Sequence, residues 1–235
     1  MDLILVAIIP GLTGYLEGLQ LQRRLMSLRQ QEKIRDILLL LEHPPVLTLG
    51  KNADETHFLF SPADLADQGC KVYRTERGGD VTYHGPGQIV GYSIMHLKEN
   101  GIKLRKYIWL LEQVFIDLLA EEYALQAYRD PNYRGVWLQN RKITAIGCAV
   151  KQWVTLHGFA FNVNTNLEHF QFIHPCGITD KGITSLQAIF GSPLDLSSVQ
   201  KLVIKYFCRS FAKEPQIISG QELQKLLASD FSAFA

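Results

Sequence analysis

The chain of 235 residues is 47% hydrophobic and 20% charged, with 24 Lys and Arg against 23 Asp and Glu. Its net charge of +1 argues against a bulk nucleic-acid binder, which carries a basic excess to neutralise phosphates. A chain this long buries enough surface to need neither disulfide nor metal to hold a core, and residues 1–235 fit a single domain.

Leu3 to Ile9 is an apolar run ended by Pro10 and Gly11. It is far short of the roughly 20 residues that span a bilayer. Asp2 stands where a secretory signal would have basic residues, so the run is predicted to be a first strand, and neither secretion nor membrane insertion is expected. Leucines at 16, 19, 21, 25 and 28 predict an amphipathic helix over Tyr15 to Arg35. Ile37 to Leu41 and Val46 to Leu49 read as two strands broken by His43-Pro44-Pro45. Ser61-Pro62-Ala63-Asp64 starts a short helix through about Asp67. Lys71 to Thr75 and Gln88 to Met95 alternate as strands, and Leu104 to Leu125 repeats its apolar residues at helical spacing. Gly135 to Leu138 and Ile143 to Val150 form a hairpin with its tip at Gln139 to Arg141, and Trp153 to Val163 is a further strand. Helices follow at Ser197 to Phe211 and Gln221 to Leu227. Strands bunched between helices predict an α+β, or mixed α/β, fold: a mixed β-sheet flanked by helices. The order does not alternate as a Rossmann or TIM fold would.

The four cysteines, Cys70, Cys148, Cys176 and Cys208, form no C-x-x-C pair. They suggest neither a zinc site nor a thioredoxin-like motif, and read as reduced thiols of a cytoplasmic protein.

Four stretches carry candidate chemistry. Arg77-Gly78-Gly79-Asp80-Val81-Thr82-Tyr83-His84-Gly85-Pro86-Gly87-Gln88 surrounds a β-type core with glycines. Such a loop lets backbone amides approach a carboxylate, phosphate or carbonyl oxygen; a tight hairpin that needs glycine for its bends is the plainer reading. It is neither a Walker loop nor a dinucleotide G-x-G-x-x-G. Arg141-Lys142-Ile143-Thr144-Ala145-Ile146-Gly147 places a lysine at the head of an apolar strand. By spacing alone it is a surface lysine at a hairpin tip; acid–base work requires surroundings that lower its pKa. In Leu156-His157-Gly158-Phe159-Ala160-Phe161-Asn162-Val163, His157 by itself is a satisfied core histidine, while Gly158 and Ala160 leave a narrow strip for a ligand. In His174-Pro175-Cys176-Gly177-Ile178, followed by Thr184-Ser185-Leu186, a turn holds the cysteine. A turn thiol becomes a nucleophile if a nearby cation stabilises its thiolate. His174 is one candidate for that cation, which keeps a Cys-His hydrolase open.

Together these stretches resemble the octanoyltransferase, or lipoyl(octanoyl) transferase, family of lipoic acid biosynthesis. The match runs from about Leu3 to Ser210, and the Arg77 to Gln88 block, continuing to Tyr92, is its most specific part. The resemblance implies the catalytic-domain fold of biotin and lipoate protein ligases. It implies Cys176 as the acyl-carrying nucleophile and Lys142 as its acid–base partner. Substrate binding falls to Arg77, Gly78, Gly79, Asp80, Val81, Thr82, Tyr83 and His84 in the loop. Ala145, Ile146 and Gly147, with His157, Gly158, Phe159 and Ala160, complete it. Octanoyl-acyl carrier protein is the implied donor. Lysines of lipoyl domains, in 2-oxo acid dehydrogenases and the glycine cleavage H protein, are the acceptors. No cofactor, metal, nucleic acid or membrane is expected. Ile143, Phe159 and Phe161 are expected to line the acyl tunnel and keep water out. Three rival readings are open: an amidotransferase between lipoyl domains, an ATP-dependent lipoate ligase, and a non-catalytic acyl- or carrier-binding module. The Pro175-Cys176-Gly177 motif counts against the ligase, which does not need a cysteine nucleophile.

Overall fold

The computed structural model describes residues 2–53, 65, 69–173 and 181–228. Strand β1 (Asp2–Leu12) is followed by helix α1 (Tyr15–Gln30) and strand β2 (Ile37–Glu42). Three short strands come next: β3 (Val46–Leu49), β4 (Lys71–Arg74) and β5 (Val81–His84). Strand β6 (Gln88–Ile94) leads to helix α2 (Leu104–Tyr123), then β7 (Ala127–Arg129) and β8 (Val136–Leu138). The long strands β9 (Arg141–Lys151) and β10 (Val154–Asn162) precede β11 (Gly182–Ile183) and helix α3 (Leu186–Phe190). Helix α4 (Leu196–Phe211), strand β12 (Lys213–Ile217) and helix α5 (Gly220–Ala228) end the described chain.

The large sheet runs β12-β1-β2-β6-β10-β9-β8-β7, with β11 beside β9. It is mixed: β1 is parallel to β2 and β12, whereas β6, β10, β9 and β8 pair antiparallel. The fold is thus the mixed sheet flanked by helices that the sequence predicts.

Both faces of this sheet are covered, which explains why Ile37 to Leu41 is an unbroken apolar run with no exposure. Leu38 and Leu40 point into a core with Ile4, Val6 and the buried stripe of α2 and α4. Leu39 and Leu41 point the other way, into a core with Leu5, Ala7 and the leucines of α1. The His43-Pro44-Pro45 break carries the chain out of this sheet into a second one, ordered β4-β3-β5. That sheet packs on a third core of Leu47, Leu65, Cys70, Val81, Tyr83 and Ile173.

Helix α1 stops five residues before the predicted Arg35. Glu32 adopts a left-handed φ of 57°, and the Lys33 amide closes back on the Leu28 carbonyl at 2.9 Å, a helix-ending turn that spacing alone does not announce. Helix α2 likewise ends on a left-handed Ala124. Strand β12 has no sequence signature because it is an edge strand with four exposed residues, Pro215 among them. The helix predicted from Ser61 lies outside the described residues except at Leu65, which is helical and buried. Among the described residues no helix is long and apolar enough to cross a membrane.

Candidate active site

The floor of the site is the β9–β10 pair. Ala145 lies opposite Ala160 and Gly147 opposite Gly158, so a strip of small residues runs across two strands on the face that carries α1. The glycine-rich loop lies directly on this strip. Gly78 N–H donates to the Cys148 carbonyl at 2.9 Å, and a Cβ on Gly147 would come within 3.0 Å of the Gly78 carbonyl oxygen. A side chain at 147 would lift the loop off the strand. Its other side is fastened to the end of β3. Gly50 N–H donates to Asp80 O at 3.0 Å and Lys51 N–H to Arg77 O at 2.9 Å. The buried Arg77 guanidinium donates to the Thr48 hydroxyl at 2.9 and 3.1 Å and to its carbonyl at 2.5 Å.

Lys142 reaches this face through a β-bulge. Val136 pairs with Thr144, but Trp137 pairs with Lys142, leaving Ile143 as the extra residue. Thr144 pairs with Phe161 of the α2 core. Strict alternation would send Lys142 to that same face. The extra residue instead turns Lys142 to the face of Ala145 and Ala160. The lysine is 6% exposed, so the surface-lysine reading gives way, and its ammonium lies 4.9 Å from the centre of the Trp137 ring. Gly135 makes room for it. That residue holds φ at 120°, and a Cβ there would sit 2.4 Å from the Thr144 carbonyl oxygen and 3.4 Å from Lys142 Cδ.

The opposite end of the site is polar and buried. His43 Nδ1 lies 2.6 Å from the Thr13 carbonyl, so it donates and Nε2 accepts from the Tyr92 hydroxyl, also at 2.6 Å. His84 Nδ1 lies 2.8 Å from Gln88 Oε1. The Gln88 amide nitrogen in turn donates to Asn162 Oδ1 at 2.9 Å, and Asn162 Nδ2 to the Thr184 carbonyl at 3.1 Å. Thr184 N–H donates to Lys142 O at 3.0 Å, so one hydrogen-bonded chain joins the polar end to the lysine strand. Burial drives His43 and His157 down to about 4 and, with His43 beside it, His84 down to about 3. All three are neutral imidazoles near pH 7. His157 is buried with its Nε2 3.3 Å from the Thr75 hydroxyl, as a satisfied core histidine is; its backbone is left-handed, at φ 63°, and its N–H donates to Gln22 Oε1 at 2.9 Å.

Between these ends lies a cavity of about 550 Å³. Its walls include Lys142, Arg77 to Thr82, His84, Ala145 to Gly147 and His157 to Ala160. Tyr83 is not among them. It is fully buried in the third core, its hydroxyl 2.7 Å from His169 Nδ1. Ile143 and Phe161 are likewise in the core beneath α2 rather than on the cavity wall. Tyr15, Tyr92 and the Asn132–Arg134 loop also line the cavity. Tyr92 ends the stretch that extends the glycine-rich block, whereas Tyr15 and the Asn132–Arg134 loop belong to no chemically suggestive motif. Burial pushes the thiols of Cys70, Cys148 and Cys208 up to about 11. Cys176 and His174 lie outside the described residues.

The fold is thus a mixed α/β domain with a buried lysine at one end of a cavity whose floor is a strip of small residues. Residues 14–208 match the family model described as the lipoyl protein ligase A/B catalytic domain. An octanoyltransferase of Desulforamulus reducens is 54% identical over 220 residues, covering 94% of this chain and 96% of its own. One of Caldicellulosiruptor saccharolyticus is 50% identical over 214 residues, covering 91% of each. Among solved structures, the bipartite lipoate protein ligase of Thermoplasma acidophilum superposes with a TM-score of 0.71 at 13% identity, over 96% of this chain and 90% of its own. That last likeness concerns the fold alone. The chain belongs to the lipoyl protein ligase A/B catalytic domain family, in its octanoyltransferase branch, and is an acyltransferase of that branch.

Proposed function

We propose that this acyltransferase moves an octanoyl group from octanoyl-acyl carrier protein to a lysine of a lipoyl domain, through a thioester on Cys176. The observation that carries this reading is the bulge that turns Lys142 out of the core and into the cavity. A buried ammonium favours a neighbouring thiolate by charge pairing. The Cys176 thiolate attacks the octanoyl carbonyl, and the bond to the carrier sulfur breaks. Lys142 gives its proton to that sulfur and is left neutral. Neutral Lys142 then takes a proton from the incoming lysine amine as the amine attacks the acyl-enzyme. The Cys176 sulfur leaves as thiolate, and Lys142 is restored as its ammonium. Thioester exchange is nearly isoenergetic and amide formation is downhill, so no nucleotide is consumed.

The acceptors in this reading are lipoyl domains of 2-oxo acid dehydrogenases and of the glycine cleavage H protein, in a cytoplasmic setting. The loop Arg77 to His84, with the strips Ala145 to Gly147 and His157 to Ala160, holds the acyl chain, Tyr83 supporting from behind. In the purified protein, Cys176→Ala and Lys142→Ala are each expected to reduce transfer from octanoyl-acyl carrier protein at least ~10³-fold while leaving the unfolding transition in place. Normal turnover by Cys176→Ala removes the covalent route.

A further inference from the structure

Lys142 shares the Trp137 ring with a second ammonium. Lys181 Nζ lies 4.8 Å from the ring centre and 5.1 Å from that of Tyr133, while Lys142 Nζ lies 4.9 Å from the former. Lys181 is held there by an ion pair with Asp130, both side chains mostly buried. Asp130 is itself fixed: its other oxygen accepts from the N–H groups of Asn132 and Tyr133 at 2.8 and 3.1 Å. Tyr133 O accepts from Trp137 Nε1–H at 3.1 Å. Two residues after Lys181, β11 pairs Ile183 with Lys142. The Asp130–Lys181 pair is therefore built into the wall beside Lys142, with its positive end on the ring that both lysines share.

We propose that Lys181 is a positioning residue for the transfer reaction, whose anchored charge opposes a full charge on Lys142 and eases loss of the Lys142 proton. The inference rests on the acid–base role proposed above for Lys142. An aromatic face attracts a cation, and two ammonium ions on one ring compete for that attraction. Both lie within 5 Å of the ring centre, hence at most about 10 Å apart, where partly buried charges still act on each other. Other charged groups on the elements around Lys142 are Arg77, Arg134 and Asp80 on the cavity wall, Arg141 next to it in β9, and Glu112 and Arg129 behind the loop. Glu112 and Arg129 pair with each other at 3.2 Å, and Lys181 is set apart from the arginines by its place on the ring that Lys142 also meets.

The sign follows from the second half-reaction, which needs neutral Lys142. Without the Lys181 charge, Lys142 keeps its proton to higher pH, and transfer to amine rises later. The test uses enzyme loaded with octanoyl from octanoyl-N-acetylcysteamine and follows single-turnover transfer to a purified lipoyl domain across the neutral-to-alkaline range. The acceptor amine is common to all variants, so a shift between them belongs to the enzyme. Lys181→Met is expected to move the inflection up by about half a pH unit or more. Lys181→Arg keeps the charge and is expected to restore the wild-type inflection even if its rate falls. A purely structural role lowers the rate of both without moving the inflection, and that result overturns the proposal. Lys142→Ala separates the two readings. If it leaves the pH-dependent step intact, the role of Lys142 fails; if it abolishes the step while Lys181→Met leaves the inflection in place, only the role of Lys181 fails.

Discussion

At the scale of single residues, the site depends on positions where a side chain would be too much. Gly135 is the sharpest case, because its φ of 120° and a Cβ position 2.4 Å from the Thr144 carbonyl both forbid an alternative. Gly135→Ala is expected to cost about 2 kcal/mol or more of stability. It also displaces the stem of Lys142, so transfer falls further than the lost stability explains. Chemical denaturation paired with a transfer assay checks this, and full activity in a folded variant contradicts it. Residue identity was the most legible layer of the sequence, but orientation was not. Lys142 read as a surface lysine because nothing in Arg141-Lys142-Ile143-Thr144 announces a bulge. The bulge is a property of the pairing with β8, and it alone decides which face the lysine takes. Tyr83 illustrates the same limit from the other side. It sits inside the most specific motif, yet its ring faces the third core.

At the scale of elements, the strands and long helices were legible where burial wrote a period into the chain. The five-residue apolar run of β2 and the stripe of α2 are such places. Elements held by pairing rather than by their own pattern were invisible: β7 and β12 are three and five residues long and carry polar or exposed side chains. The glycine-rich loop lies between the two cases. Its composition left open a binding loop or a bare hairpin, and the structure shows why both readings had substance. Val81 to His84 is a strand of the small sheet, while Arg77 to Asp80 is fastened across the floor of the cavity by Thr48, Gly50 and Cys148.

At the scale of the whole molecule, three histidines from different elements are buried as neutral imidazoles around one end of the site. Their folded pKa values, about 4 for His43 and His157 and about 3 for His84, lie below the unfolded value of about 6.5. Below pH 6.5 the unfolded chain therefore binds more protons than the folded one. Stability is fully present above that pH and is lost as pH falls toward 4, by at most about 1.4 kcal/mol per pH unit for each histidine. Denaturant unfolding at pH 7 and pH 5 is expected to differ by about 2–5 kcal/mol. Equal stability at the two values shows that the imidazoles are not held neutral by burial.

An octanoyl group is proposed to pass through Cys176 under the control of Lys142. Mass spectrometry of the enzyme mixed with octanoyl-acyl carrier protein, without acceptor, tests it most directly. One octanoyl adduct is expected on the peptide containing Cys176, discharged when a lipoyl domain is added and absent from Cys176→Ser. An adduct on another residue, or full transfer with no adduct formed at any time, contradicts it.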